Sequence, residues 1–271
     1  MSMKRKSKLI ISILGMLFLA SCTTAPLTGR KQLKLVSDES VARDSVESYR
    51  QFINEASSKN LLANDTADGR RLKEIGGRIS RAVEKYMNEN GMSKKVNSLN
   101  WEFNLIKSNE MNAFAMPGGK IAFFTGIMPV LKTDGGIAFV MGHEIGHVIG
   151  GHHAEGKSNR LTAGVVMIGK GVVDVLTGGA TEAISNDLIG QGLQIGLLKF
   201  NRTQEYEADK YGMIFMAMAG YNPEEAIKVQ ERMAEKGSGK GSDFLSTHPS
   251  SDKRIQALKD FLPEAMKYYR K

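Results

Sequence analysis

The run His143-Glu144-Ile145-Gly146-His147-Val148-Ile149-Gly150-Gly151-His152-His153 holds four of the chain's five histidines. His143 and His147 stand four residues apart, ~40° around a helix, so in a helical segment both imidazoles meet one metal ion. Ile145, Val148 and Ile149 argue that this helix is partly buried, not a surface helix whose histidines merely meet water. Glu144 lies on the adjoining edge. Two neutral imidazoles, a carboxylate and one open position suit zinc, beside which water becomes acidic enough to act as a nucleophile near neutral pH. Glu144 then takes the proton and passes it to a leaving amine. The expectation is one Zn2+ per chain and peptide hydrolysis.

Two candidates for the third ligand remain open on spacing. His147, Gly150 and His153 follow the metzincin spacing, in which a glycine turn brings a third histidine to the ion. Glu205-Tyr206-Glu207-Ala208-Asp209 follows 58 residues after His147 in a predicted helix. There Glu205 and Asp209 share one face and Glu207 points away. Glu205 can ligate, and Asp209 can hold the other nitrogen of a ligand histidine.

Outward from this site the chain reads as one mostly helical domain. Asp38 to Asn60 and Asp68 to Asn90 have helical spacing, the second with Leu72, Ile75, Ile79, Val83 and Met87 on one face and Gly91 closing it. Trp101, Phe103 and Leu105 alternate with polar residues, and Lys120 to Thr125 is a second short extended run, which predicts a small sheet. Thr133 is a good N-cap for the zinc helix, although Asp134-Gly135-Gly136 is a weak start. Leu161 to Phe200 is apolar and glycine-rich, but Lys170 and Asp174 interrupt it, so packed helices or a flap are expected and not a membrane span. Gly190-Gln191-Gly192 follows no strand and is no dinucleotide fingerprint. Asn222-Pro223-Glu224-Glu225 opens another helix, and Ser250 or Ser251 starts a last one that Pro263 should end.

The 271 residues, 41% hydrophobic and 24% charged, bury a substantial core and exclude global disorder. Residues 1–21 read as a signal peptide, with Lys4, Arg5, Lys6 and Lys8 before an apolar run from Leu9 to Ala20 too short to span a bilayer. Removing those four charges takes the net charge from +8 to +4, too little to imply nucleic acid as a partner. The run ends in Leu19-Ala20-Ser21-Cys22, which resembles a bacterial lipobox and makes Cys22, the only cysteine, a lipidation site. Two or three acyl chains anchor stably. Residues 22–36, with Pro26 and Gly29, then form a lipidated tether, and 37–271 the catalytic domain. Thr23 is not the aspartate of inner-membrane retention, which points to the outer membrane.

Three blocks now make a resemblance specific: Asn112-Ala113-Phe114-Ala115-Met116-Pro117-Gly118-Gly119, the run 143–153, and Asn201-Arg202 through Glu205 to Asp209. With Thr247-His248-Pro249 and Arg254 they span most of residues 100–255. The chain resembles the zinc metallopeptidases of the HtpX and CAAX prenyl protease type, especially the periplasmic lipoprotein branch of BepA and LoiP. The resemblance implies a zincin-like α+β fold with a small sheet, metal ligands His143, His147 and Glu205, and Glu144 as base. It also implies an edge strand near Asn112, Ala113 and Phe114 that pairs with extended substrate, a mode that fixes the scissile carbonyl by backbone contacts without demanding a sequence. His152 is a familiar feature of such chains; on a continuing helix it faces away from His147, ~140° round. His248, in a Ser-Thr-His-Pro turn, has three readings: a solvated turn residue, a donor to the oxyanion, or a fourth ligand that closes the site. Expected partners are unfolded or misassembled envelope proteins, the membrane through the anchor, and outer-membrane assembly machinery. The rival reading is a chaperone-like module that seldom cuts.

Overall fold

The computed structural model describes residues 22–168, 199–237, 243–248 and 251–269. The segment expected to be a signal peptide, Gly190-Gln191-Gly192 and most of the apolar stretch up to Phe200 lie outside the described residues.

Part of the expected tether is a structured hairpin. Strand β1 (Cys22–Thr24) pairs antiparallel with β2 (Lys31–Leu33), Cys22 opposite Leu33. Gly29 at φ 67° closes the turn, its N–H donating to the Ala25 carbonyl at 2.8 Å. Ala25 and Gln32 are buried against the domain. Helices α1 (Asp38–Ser58) and α2 (Ala67–Glu89) follow, capped by the hydroxyls of Ser37 and Thr66, which accept from the amides of Ser40 and Gly69 at 3.1 Å. The α2 stripe Leu72, Ile75, Ile79, Val83 and Met87 is buried as its spacing predicts. A short helix α3 (Ser93–Val96) leads into the sheet.

The sheet has three strands, β3 (Glu102–Ile106), β4 (Ala113–Met116) and β5 (Lys120–Phe124), in the order β3-β5-β4. Strand β3 runs parallel to β5 and β4 antiparallel to it. The β4-β5 connection turns on Gly118 and Gly119, both at positive φ (93° and 80°), which only glycine adopts without strain. Strands β4 and β5 are buried on both faces and are mostly apolar, while β3 keeps the alternation of its sequence, with Glu102 and Phe103 only half-buried. Leu105, Ala113, Ala115, Ile121 and Phe123 join the main core with α2, while Ile106, Phe114, Met116, Ala122 and Phe124 join Tyr49 and Phe52 of α1 in a second. The order leaves β4 as an edge strand.

After α4 (Met128–Leu131) comes α5 (Asp134–Ile149), which carries the histidine motif. Thr133 Oγ1 accepts from the Gly136 amide at 3.0 Å, so the helix starts despite its glycines. Gly136 is there for space: a Cβ would lie 2.2 Å from the Leu131 carbonyl oxygen. Helices α6 (His152–Ile168), α7 (Arg202–Met218), α8 (Glu224–Gly237), α9 (Asp243–Thr247) and α10 (Asp252–Ala265) complete the described domain. Against expectation Pro263 does not end α10; the helix runs on to Ala265, forgoing one backbone donor. Helices α5 and α7 meet almost backbone to backbone. A Cβ on Gly142 would sit 3.1 Å from the Gly212 Cα, and one on Gly146 2.8 Å from the Tyr211 Cβ. That approach sets the reach between the histidines of α5 and the acids of α7. Among the described residues no helix is long and apolar enough to cross a membrane.

Candidate metal centre

Helix α5 presents His143 and His147 towards α7, whose N-terminus is fixed by a capping box between Asn201 and Gln204. That start puts Glu205 in the first turn, level with the histidines. One donor atom each from His143, His147, Glu205 and His248 lie within 4.8 Å of one another, all buried. His153 is not in this group, so the metzincin-type arrangement is not the one this fold builds. Its ring lies instead edge-on to Phe200, and burial pushes its pKa down to about 3.

The donor set calls for a cation. Asp209 takes a 2.9 Å hydrogen bond from His143 Nδ1 and is gripped by Arg254, whose Nη2 lies 2.6 Å and Nε 2.8 Å away. Burial works against this carboxylate's charge, but Arg254 and His143 outweigh it and hold its pKa at about 2. An ionised Asp209 only accepts, so His143 Nδ1 carries a proton, and in the neutral ring Nε2 is the nitrogen with the lone pair. His147 is fixed likewise. Glu207 accepts from His152 Nε2 at 3.0 Å, which leaves His152 Nδ1 to accept from His147 Nδ1 at 2.9 Å. His147 Nε2 therefore also bears a lone pair. The two Nε2 atoms lie 3.2 Å apart, and between neutral rings held this way there is no proton to share. Glu205 Oε1 is 3.5 Å from His147 Nε2, and Glu205 Oε2 is 3.6 Å from His143 Nε2. Burial raises the Glu205 pKa, but His248 and Arg254 more than reverse this and lower it overall. Burial, reinforced by the neighbouring His143, also keeps His147 neutral. Two converging lone pairs and a carboxylate fit a divalent metal ion and are unfavourable without one.

His248 follows α9 and is 3% exposed, not a solvated turn residue. Its Nδ1 is 3.0 Å from Glu205 Oε1 and 3.3 Å from His143 Nε2, and its Nε2 is 3.5 Å from Glu144 Oε1. Glu144 is buried, accepts a hydrogen bond from the Ala115 backbone amide, and has its pKa raised chiefly by burial. That bond ties Glu144 to the β4 edge. The residues expected to meet substrate divide. Asn112 precedes β4, its side-chain oxygen accepting from the Ala113 amide at 2.9 Å. Phe114 turns its ring away, towards Tyr49 and Phe52. Cys22 begins β1, opposite Leu33 at the open end of the hairpin.

His152 corrects the sequence expectation. The helix does not continue: α5 ends at Ile149, Gly151 takes φ 71°, and α6 restarts at His152, which swings its ring back onto His147. Glu207 points away from His143 as expected, but towards His152. The Gly150-Gly151 pair was the available signal for this break. Nothing local in the sequence marks Arg254 as the clamp on Glu205 and Asp209, or Phe200 as the ring stacked 3.8 Å from His147.

Residues 75–262 match peptidase family M48. The chain is 32% identical over 254 residues to the "Mitochondrial metalloendopeptidase OMA1" of Schizosaccharomyces pombe, covering 93% of this chain and 69% of that protein. It is 29% identical over 172 residues to the "Metalloprotease LoiP" of Escherichia coli, with 63% and 66% covered. To the "Beta-barrel assembly-enhancing protease" of Yersinia pestis it is 27% identical over 160 residues, with 57% and 33% covered. The chain thus spans between 33% and 69% of the length of these relatives.

Proposed function

The chain belongs to peptidase family M48, and on that premise we propose that it is a zinc-dependent endopeptidase of the cell envelope, cutting unfolded or misassembled proteins. The observation that carries the reading is the pair of converging His143 and His147 lone pairs beside Glu205. These three side chains hold the ion. When bound, zinc polarises the scissile carbonyl and acidifies water. Glu144 accepts the proton of the attacking water and delivers it to the leaving amine; its raised pKa brings it nearer to both tasks. Extended substrate pairs with the outer edge of β4, where the Ala115 amide already faces Glu144. In this role Asn112 and Ala113 fix the start of the edge, and Phe114 anchors it from behind.

His248 closes the site in the resting state, its Nδ1 taking the position nearest Glu205. One assay tests both statements. Cleavage of an unfolded model protein should stop on chelation and return with zinc. His248→Ala should raise the rate about tenfold, if closure is favoured by ~1.4 kcal/mol. A fall of about 10²-fold at unchanged zinc content would assign His248 to the oxyanion instead, and cleavage that survives chelation would remove the metallopeptidase reading.

The envelope location rests on Cys22 and the apolar run before it, together with the likeness to LoiP and the β-barrel assembly-enhancing protease. We take the domain to be lipid-anchored, periplasm-facing and on the outer membrane, with assembly machinery there as a partner. The hairpin packs on the domain, so the anchor holds the catalytic unit close to the lipid surface. Cys22→Ser should abolish incorporation of labelled fatty acid and release the domain; label still entering the variant refutes the anchor.

A further inference from the structure

We propose that Arg30, on the hairpin that follows Cys22, is a positioning residue for the metal-binding nitrogen of His147, acting through Glu207 and His152. The inference rests on His147 being a metal ligand, as proposed above.

The contacts form an unbroken line. Arg30 Nε donates to both Glu207 oxygens at 3.1 Å, and its Nη2 to Glu207 Oε2 at 3.0 Å. The same guanidinium donates through Nη1 and Nη2 to Glu155 at 2.7 and 2.8 Å. The Thr28 hydroxyl, on the same hairpin, also donates to Glu207. Gln204, from the capping box of α7, and Gln32, from β2, add donors to Glu155 at 2.8 and 3.2 Å. Glu207 then fixes His152, and His152 fixes His147.

The geometry does more than fasten a hairpin. His152 can carry its proton on either nitrogen, and only the Nε2 form leaves Nδ1 free to accept from His147. If Glu207 turns aside, His152 can protonate at Nδ1 and donate to His147 Nδ1. The His147 proton must then sit on Nε2, the atom that should face the ion. Arg30 prevents this by fixing Glu207 with a planar fork that a lysine cannot reproduce across two carboxylates. Without it, Glu155 and Glu207 lose the cation they share, and Glu207, left with only Thr28 and His152, can turn aside. The hairpin thereby sets the orientation and tautomer of a ligand on α5.

The test uses the purified full-length chain, with metal affinity measured by chelator competition and the visible spectrum of the cobalt-substituted protein. Arg30→Ala should weaken zinc binding about 10-fold or more, the range for outer partners of a ligand histidine, and should change the cobalt bands. Arg30→Lys should recover only part of the affinity. Lys157→Ala, which breaks an exposed ion pair with Asp44 outside this line, should do neither. A merely structural Arg30 would lower thermal stability while leaving affinity and spectrum per folded molecule unchanged, and that result overturns the proposal. If Arg30→Ala does not fold, Glu207→Gln, whose single amide oxygen cannot serve both His152 and the Arg30 fork, should still weaken zinc severalfold; unchanged binding there also overturns it. Failure of the wild-type chain to bind zinc or cobalt would strike the metal-centre reading itself.

Discussion

Glu144→Gln is expected to keep its metal and lose turnover by about 10²- to 10⁴-fold, the usual worth of a positioned general base. The amide is isosteric and retains an oxygen for the Ala115 N–H, so the tie to β4 survives. It also removes a buried charge whose ionised form burial disfavours, so folding should not suffer. Only the proton-accepting capacity is lost. The comparison needs zinc content and kcat on the same preparation. Near-normal zinc with a kcat within tenfold of wild type would show that Glu144 does not carry the proton. Loss of zinc would show instead that it helps to hold the ion.

What the sequence made legible depended on how local the cause was. The α2 stripe follows from one helix burying one face, and all five predicted positions are buried. The α5 cap and the 143/147 pair depend on residues within one turn. Glu205 was reachable as one of two candidate ligands because the pairs 143/147 and 205/209 share a four-residue spacing that puts each pair on one helix face; the family resemblance, not the spacing, favoured it over His153. The hairpin at 22–33 was not legible. Its strands are three residues long, too short for an alternation, and its polar contacts run to Glu155 and Glu207, more than a hundred residues away. His152 failed for a different reason: helix continuation was assumed through two glycines, the residues that permit a restart with a new axis. His248 had three readings because its position depends on α9, which pairs the Phe244 amide with the Met111 carbonyl beside β4.

Local chemistry and long-range closure meet in the buried acids. A buried carboxylate is tolerated when charge and hydrogen bonds meet it, and three acids of one helix are met from three directions. Asp209 is held by Arg254 of α10, Glu207 by the N-terminal hairpin, and Glu205 by Arg254 and the site histidines. Helix α7 is therefore the element against which the β1-β2 hairpin and α10 are registered.

That arrangement gives the second large effect. Glu205→Ala should weaken zinc binding by more than the ~10- to 100-fold that outer partners contribute, because a carboxylate ligand supplies charge as well as a bond. Arg254 remains paired with Asp209 through two nitrogens, so the variant does not strand that buried cation, and His143 keeps its orientation. The loss should therefore appear in metal content and not as unfolding. His153→Ala is the matched control. His153 is as buried as the ligands, at 2% exposed, and lies on the next helix from them, but its ring packs on Phe200 outside the converging donors. Its removal should cost packing energy of the order of 1–3 kcal/mol and leave zinc per folded molecule within about twofold of wild type. Metal analysis of the two folded proteins separates the assignments: zinc lost with His153 and kept without Glu205 would mean that the third ligand comes from the glycine turn, and that α7 serves the site only as scaffold.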